Sequence, residues 1–201
     1  MSGPTALEVE RAVTVAWRIP GQYRRGEARF LDRLARRKGQ IVEIGCYMGR
    51  TTALLVQAAR MWGATVTTVD PFVPLPNGVE QATPDKWRAH LERVGLRPPR
   101  LLAVPSHEAA RQWAGEIAFL FVDGDHSYTG VQHDLADWAP RVQVGGVIAL
   151  HDMWFPSITG VARAVTEWWC AERDDAARGD SGAAWRCLGM RDYTIAFRRE
   201  R

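Results

Sequence analysis

FLFVDGDHSYTGVQHDLADWAPRVQVGGVIALHDM, residues 119–153, decides how the rest of the chain is arranged. It opens on an apolar run that ends at Asp123 and closes on a second run that ends at His151 and Asp152. Between them lie a polar turn, a helix-length segment over Tyr128–Trp138 and a Gly145-Gly146 break. Short continuous apolar runs bounded by turn residues are how strands buried on both faces read, and a helical crossover joins strands that run parallel. The two strands are expected over Ile117–Val122 and Val147–Leu150. Open α/β sheets bind their ligands beyond the carboxyl ends of the strands. Asp123, Asp125, His126, His151 and Asp152 are therefore expected to meet on one rim. Such a cluster can hold a divalent cation and supply a base.

Working outward, the same alternation of elements continues in both directions. Amphipathic spacing predicts a helix over Glu27–Lys38 ended by Gly39, a buried strand over Ile41–Gly45 and a helix over Thr51–Trp62 stopped by Gly63. Ala64–Asp70 alternates as a strand. Pro71–Pro84 is too rich in proline for regular structure; a loop of that length reads either as a functional lid or as plain surface. Helices follow over Asp85–Val94 and His107–Trp113, with a short strand over Arg100–Val104 between them. Gly160–Glu172 is expected as a helix and Asp174–Gly182 as a loop. Trp185–Gly189 and Tyr193–Arg198 then read as a closing hairpin. The expected class is α/β: a Rossmann-like three-layer sandwich whose mostly parallel sheet ends in a C-terminal antiparallel hairpin. Residues 1–25 carry one helical stripe (Val9, Val13, Trp17) before Pro20-Gly21 and are read as an N-terminal cap or arm, with the main domain over 26–201.

VEIGCYMGRTT, residues 42–52, points to the ligand. Glu43 ends a strand, and Gly45 and Gly49 flank a turn that opens a helix. A dinucleotide site prefers G-x-G-x-x-G, so that pyrophosphate can sit on the helix terminus. Here the spacing is G-x-x-x-G, with Tyr47 where a middle glycine would be, and a carboxylate just before the turn. An acid suits the cationic end of a ligand better than pyrophosphate. Asp70 ends the next strand, where a ribose-binding acid belongs in such sheets, though a turn cap reads the same way. Ser106-His107, after the third strand, reads either as the adenine side of the pocket or as a helix cap and its neighbour.

VEIGCYMGRTT, VDGDHSYTGVQHDL (122–135) and GGVIALHD (145–152) together resemble the class I S-adenosylmethionine-dependent methyltransferases. Within them the match is similar to macrolide-sugar O-methyltransferases and, more distantly, to catechol-type O-methyltransferases. The resemblance implies S-adenosylmethionine bound by Glu43, Gly45, Cys46, Tyr47, Gly49, Thr51, Thr52, Asp70, Ser106 and Asp123. It also implies a divalent metal, Mg²⁺ in the relatives, on Asp123, His151 and Asp152. The third ligand is commonly Asp or Glu in that family, and Mg²⁺ prefers oxygen donors. His151 thus leaves two readings open, a transition metal or a hydrogen-bonding histidine with no ion. Asp125 reads as a helix cap as readily as a ligand. His126, three residues beyond Asp123, falls at the general-base position, where a neutral imidazole titrates near the working pH. His151 is the second histidine placed in the catalytic set.

The implied activity is methyl transfer to a hydroxyl of a small polar acceptor, such as a sugar or another natural product. Metal-independent methylation of an amine and a non-catalytic cofactor-binding interaction module are the alternatives. Trp87 and Trp154 are candidates to flank the acceptor, although nine tryptophans make core packing the simpler account of any one. With few insertions in the core, a second subunit could complete the pocket. The chain carries a net charge of +3, but its positive charge is scattered, and Arg29–Lys38 reads as a solvated helix face. Nothing interleaves basic and aromatic residues as a nucleic-acid surface does. No apolar run reaches about 18 residues, and the opening lacks the basic and apolar parts of a secretory signal, so a cytoplasmic protein is expected. Cys46, Cys170 and Cys187 have no metal or disulfide spacing and are expected reduced and buried.

Overall fold

The sheet holds seven strands in the order β3-β2-β1-β4-β5-β7-β6. They are β1 (Gln40–Ile44), β2 (Thr65–Val69), β3 (Arg100–Leu102), β4 (Ile117–Val122), β5 (Val142–Leu150), β6 (Trp185–Arg191) and β7 (Thr194–Arg199). This computed structural model describes residues 5–74, 79–178 and 183–201. The first five strands run parallel, and the β6–β7 hairpin closes the sheet antiparallel to β5. The expected α/β three-layer architecture is what the chain adopts. β1 lies between β2 and β4, so strand order reverses there, and the crevice beyond the ends of β1 and β4 is the ligand position of such sheets.

Alternation along the buried strands builds two cores. Ile41, Phe119 and Phe121 face one side, where α1 (Ala6–Ala16), α2 (Arg25–Ala35), α3 (Arg50–Trp62) and α4 (Pro84–Arg93) pack. Val42, Leu120 and Val122 face the other, under α5 (Ser106–Arg111), α6 (Tyr128–Trp138) and α7 (Thr159–Arg178). The N-terminal segment belongs to the first core: Val9, Ala12, Val13, Ile19 and Tyr23 are buried in it beside Leu54 and Leu55 of α3. A capping box starts α1, with the Glu8 backbone N–H donating to Thr5 Oγ1 and the Thr5 N–H to Glu8 Oε2. Arg50 Nε then donates to Ile19 O at 2.7 Å, and Gln57 Nε2 to Ala12 O at 3.1 Å. These bonds tie the segment to the helix that follows the glycine turn.

Several expectations need correction. Gly145-Gly146 do not precede β5 but lie inside it, where the pairing with β4 skips from Ile117–Val142 to Phe119–Val147. α7 continues through Asp174 and Asp175 to Arg178, so the expected Asp174–Gly182 loop is mostly helix; its residues 179–182 lie outside the described residues. Residues 75–78 of the Pro71–Pro84 loop also lie outside them, and the described remainder has no regular structure before α4. Asp32 and Arg36 of the presumed solvated face form a buried ion pair at 2.7 Å, with side-chain exposures of 0% and 1%. Cys170 is exposed and Cys187 half-buried; only Cys46 is buried. Among the described residues, no helix is long and apolar enough to cross a membrane.

Candidate active site

Two backbones meet at the switch point. The Gly45 N–H donates to Val69 O and the Asp123 N–H to Ile44 O, each at 2.8 Å. Gly45 has φ +81, and a Cβ there would stand 2.0 Å from the carbonyl oxygen of Asp123. No side chain fits that gap, so the glycine is what lets the turn after β1 press against the end of β4. Asp70 holds the same turn from the β2 side. Its Oδ2 accepts from the Cys46 and Tyr47 backbone N–H groups at 2.9 and 3.0 Å, and its Oδ1 accepts from Phe72 N–H at 2.7 Å. Tyr47, at φ 45, is left to point outward, where its hydroxyl donates to Glu80 O at 3.0 Å.

Glu43 is fully buried beneath the turn. Its Oε2 accepts from Thr52 Oγ1 at 2.6 Å, and Trp87 Nε1 donates to that hydroxyl at 3.1 Å. Oε1 has no hydrogen-bond partner among the described residues. Burial pushes the carboxyl well above its ordinary value. Trp87 is therefore core, packed against Gly49, and does not line an acceptor pocket. Ser106 is likewise engaged inside the fold: its hydroxyl donates to Asp134 Oδ1 and accepts from Trp138 Nε1.

On the other side of the bend the expected cluster assembles. His126 Nε2 lies 3.5 Å from Asp123 Oδ1 and 3.1 Å from Asp152 Oδ2. Donor atoms of Asp123, His126 and Asp152 all fall within 4.8 Å of one another, close enough to share one cation. Asp152 is buried and sits at φ +56, a left-handed backbone uncommon for residues with side chains. Such strain persists at functional sites when the surroundings hold it. Here the Met153 N–H does so, donating to Tyr193 O at 2.8 Å. Asp125 turns away: it accepts from the Ser127 N–H and hydroxyl, both at 2.9 Å, ahead of α6.

His151 stands behind this triad. One ring nitrogen is 3.1 Å from Asp123 Oδ1 and 3.3 Å from Asp152 Oδ1; the other is 3.1 Å from Glu27 Oε1. These are ion-pair contacts, outside hydrogen-bond alignment. The residue placed in the ligand set from sequence is thus wedged among three carboxylates, while His126 takes the third corner of the cation-sized triangle. Burial would lower the His151 pKa, but Asp123, Asp152 and Glu27 raise it well above the ordinary value. The hydrogen bond that the His126 ring donates to Asp123 raises the His126 pKa; burial works against it, and the Asp123 and Asp152 charges add to it. Burial works against Asp123, yet the charge of His151 and the bond to His126 hold its carboxyl at about 2.

Residues 42–153, more than half of the chain, match the model of the family described as methyltransferase domain. The chain belongs to that methyltransferase family. Solved structures repeat the fold. The O-methyltransferase NovP aligns at 17% identity and a TM-score of 0.63 over 96% of this chain and 79% of its own. An O-methyltransferase from Bacillus cereus in complex with SAH aligns at 18% and 0.60, over 97% and 92%. MycE, a mycinamycin-pathway methyltransferase in complex with Mg, SAH and mycinamycin VI, aligns at 14% and 0.63 over 99% of this chain and 54% of its own.

Within this methyltransferase, Glu43, Gly45, Cys46, Tyr47, Gly49, Thr51, Thr52 and Asp70 all gather at the turn between β1 and α3, with Asp123 across the bend. Ser106 is engaged with Asp134 instead. Sequence reasoning missed Glu27, which is fully buried. Its Oε1 accepts from Tyr193 N–H at 3.1 Å and Thr194 Oγ1 at 2.9 Å, and its Oε2 from Arg24 N–H at 2.8 Å. Its position on the apolar stripe of α2 was the one available signal, and two of its partners, Tyr193 and Thr194, lie more than 160 residues away.

Proposed function

We propose that the chain transfers a methyl group from S-adenosylmethionine to a hydroxyl of a small polar acceptor, with a divalent cation at Asp123 and Asp152. The observation that carries this reading is the meeting of the Gly45 bend with the Asp123–His126–Asp152 triad at the switch point of a methyltransferase-family chain. The cofactor fits the residues present. Glu43 offers a buried oxygen without a hydrogen-bond partner among the described residues, and an ammonium group would supply one. When bound, S-adenosylmethionine supplies a methyl already activated on sulfur.

The cation fits as well. Asp123 and Asp152 would hold it through carboxylate oxygens, donors that suit Mg²⁺ or Mn²⁺, and the His126 imidazole beside them is left free to act as a base. When bound, it supplies charge that lowers the pKa of an acceptor hydroxyl.

The chain's own groups do the rest. Asp70 fixes the turn, Glu43 receives the amino group, and the β4 and β5 termini present the acceptor oxygen for in-line attack. His126, the exposed member of the triad, removes the hydroxyl proton at Nε2. Trp154 is 61% exposed at φ +63, two residues beyond Asp152, and offers a flat face to a ring-bearing acceptor. NovP and the Bacillus protein are O-methyltransferases, and MycE is seen with Mg, SAH and mycinamycin VI; these likenesses support oxygen as the acceptor atom and a metal.

Incubation with isotope-labelled S-adenosylmethionine and a panel of sugars, phenols and amines, with Mg²⁺ or a chelator, tests this. Label on hydroxyl acceptors that chelation suppresses is the expected result. Chelation-resistant label on amines alone would overturn it in favour of metal-independent N-methylation.

A further inference from the structure

We propose that Tyr23, from the segment between α1 and α2, binds the cofactor, its phenol donating a hydrogen bond to the carboxylate of the amino-acid end. The assignment rests on the S-adenosylmethionine reading above and extends it to a segment that the glycine turn does not include. The Tyr23 ring is 6% exposed, packs edge-on against Trp17 with centroids 5.5 Å apart, and lies under the Arg50 guanidinium at 5.8 Å. Arg50 also stacks on Trp17 at 4.6 Å while its Nε holds Ile19 O. Tyr23 is thus fixed against the first turn of α3.

The tip of this side chain is unexplained by packing. Its hydroxyl is fully buried and has no aligned hydrogen-bond partner among the described residues. Buried polar groups are almost always paired, so an orphan phenol points to a partner that arrives from outside. Its neighbours say where. The Thr51 hydroxyl lies beside it, and the Arg50 guanidinium of the same helix turn stands over its ring. Thr51 is in the first turn of the 13-residue helix α3, which begins at left-handed Gly49 with no side-chain cap. Free N–H groups and the helix dipole make such a terminus attractive to an anion.

Glu43 Oε1 is a second buried orphan close to the same turn. One orphan accepts and the other donates. A zwitterionic amino acid answers both, its ammonium on Glu43 and its carboxylate between Tyr23 and the start of α3. No simple cation or anion alone would do so.

The test is calorimetry on the full chain with two ligands. S-adenosylhomocysteine carries the amino-acid end, and 5′-methylthioadenosine lacks it. Tyr23→Phe keeps the ring and its packing, checked by an unchanged melting curve. It is expected to weaken S-adenosylhomocysteine about tenfold, the usual effect of losing one hydrogen bond to a charged group. Binding of 5′-methylthioadenosine should stay within about twofold, since neither the ring packing nor the nucleoside contacts change. Tyr23→Leu should show the same ligand-selective loss, so the assignment does not hang on the folding of one variant. Equal weakening of both ligands would make Tyr23 a wall of the pocket only and overturn the proposal, as would no weakening of either. If the wild type binds neither ligand, the cofactor reading itself falls and takes this assignment with it.

Discussion

Replacing Asp70 separates two accounts of the cofactor turn. Its carboxylate accepts three backbone N–H bonds, from Cys46, Tyr47 and Phe72. Hydrogen bonds to a charged group contribute about 1.5–3 kcal/mol each, and a half-buried site near solvent belongs at the lower end. Asp70→Ala removes all three, and neighbouring losses do not add fully, so a destabilisation of about 3–4 kcal/mol follows. In a chain of this size that corresponds to a fall in Tm of roughly 6–16 °C. Asp70→Asn can keep its oxygen on Cys46 and Tyr47 while its amide faces Phe72 N–H, donor against donor. It should cost about half as much. Urea titrations give the stabilities, and calorimetry with S-adenosylhomocysteine gives affinities, which should fall in the same order, Ala beyond Asn. An Asp70→Ala protein as stable as wild type but unable to bind would refute the reasoning. The carboxylate would then serve the ligand directly, as the ribose acid expected from sequence, and not the turn.

Burial pushes the Asp134 carboxyl from 3.8 up to about 6. The folded chain then binds its proton more tightly than the unfolded one, so stability falls as pH rises from about 4 to about 6 and levels off above. The shift sets an upper bound of about 3 kcal/mol, and the stability difference between Asp134→Asn and wild type should widen by up to that much over this window. Parallel urea midpoints across the window would contradict it. His126→Ala should leave S-adenosylhomocysteine affinity intact and slow single-turnover methyl transfer by about tenfold or more, against a usual base contribution of about 10²–10⁴; an unchanged rate would remove His126 from the chemistry. Glu27→Ala strips the carboxylate from His151, Thr194 and the Tyr193 and Arg24 backbones. A loss of about 3–5 kcal/mol is expected on chemical denaturation, as for other broken buried pairs, and a loss under about 1 kcal/mol would show that those partners find water instead.

What could be read in advance was whatever depends on chain direction and strand ends. Asp123 and Asp152 each terminate an apolar run, so once the runs are parallel neighbours their meeting follows, and Gly45 needs only the turn it sits in. What could not be read was pairing across sequence distance. Glu27, Asp32 and Arg36 look like ordinary polar residues of a basic helix, because periodicity shows which face is apolar and not whether a carboxylate on it has a partner. Glu27 is explained by Tyr193 and Thr194, on a hairpin that α2 does not predict. The placing of His151 behind Asp123 and Asp152 has the same cause. Both histidines stand in the right segments, but only the buried Glu27 draws one of them inward. Trp87 was offered as a pocket wall for its position near the mouth, and Thr52 turns it into core through one hydrogen bond.

The central claim is that the glycine bend and the acid–imidazole triad are two halves of one site. Paramagnetic relaxation tests it directly, with Mn²⁺ titrated into the chain bearing bound S-adenosylhomocysteine while the ligand's proton lines are followed by NMR. The account predicts strong broadening of the protons flanking sulfur, abolished in Asp152→Ala, which retains the ligand. Lines that stay sharp at saturating Mn²⁺, or broaden equally in Asp152→Ala, would contradict it.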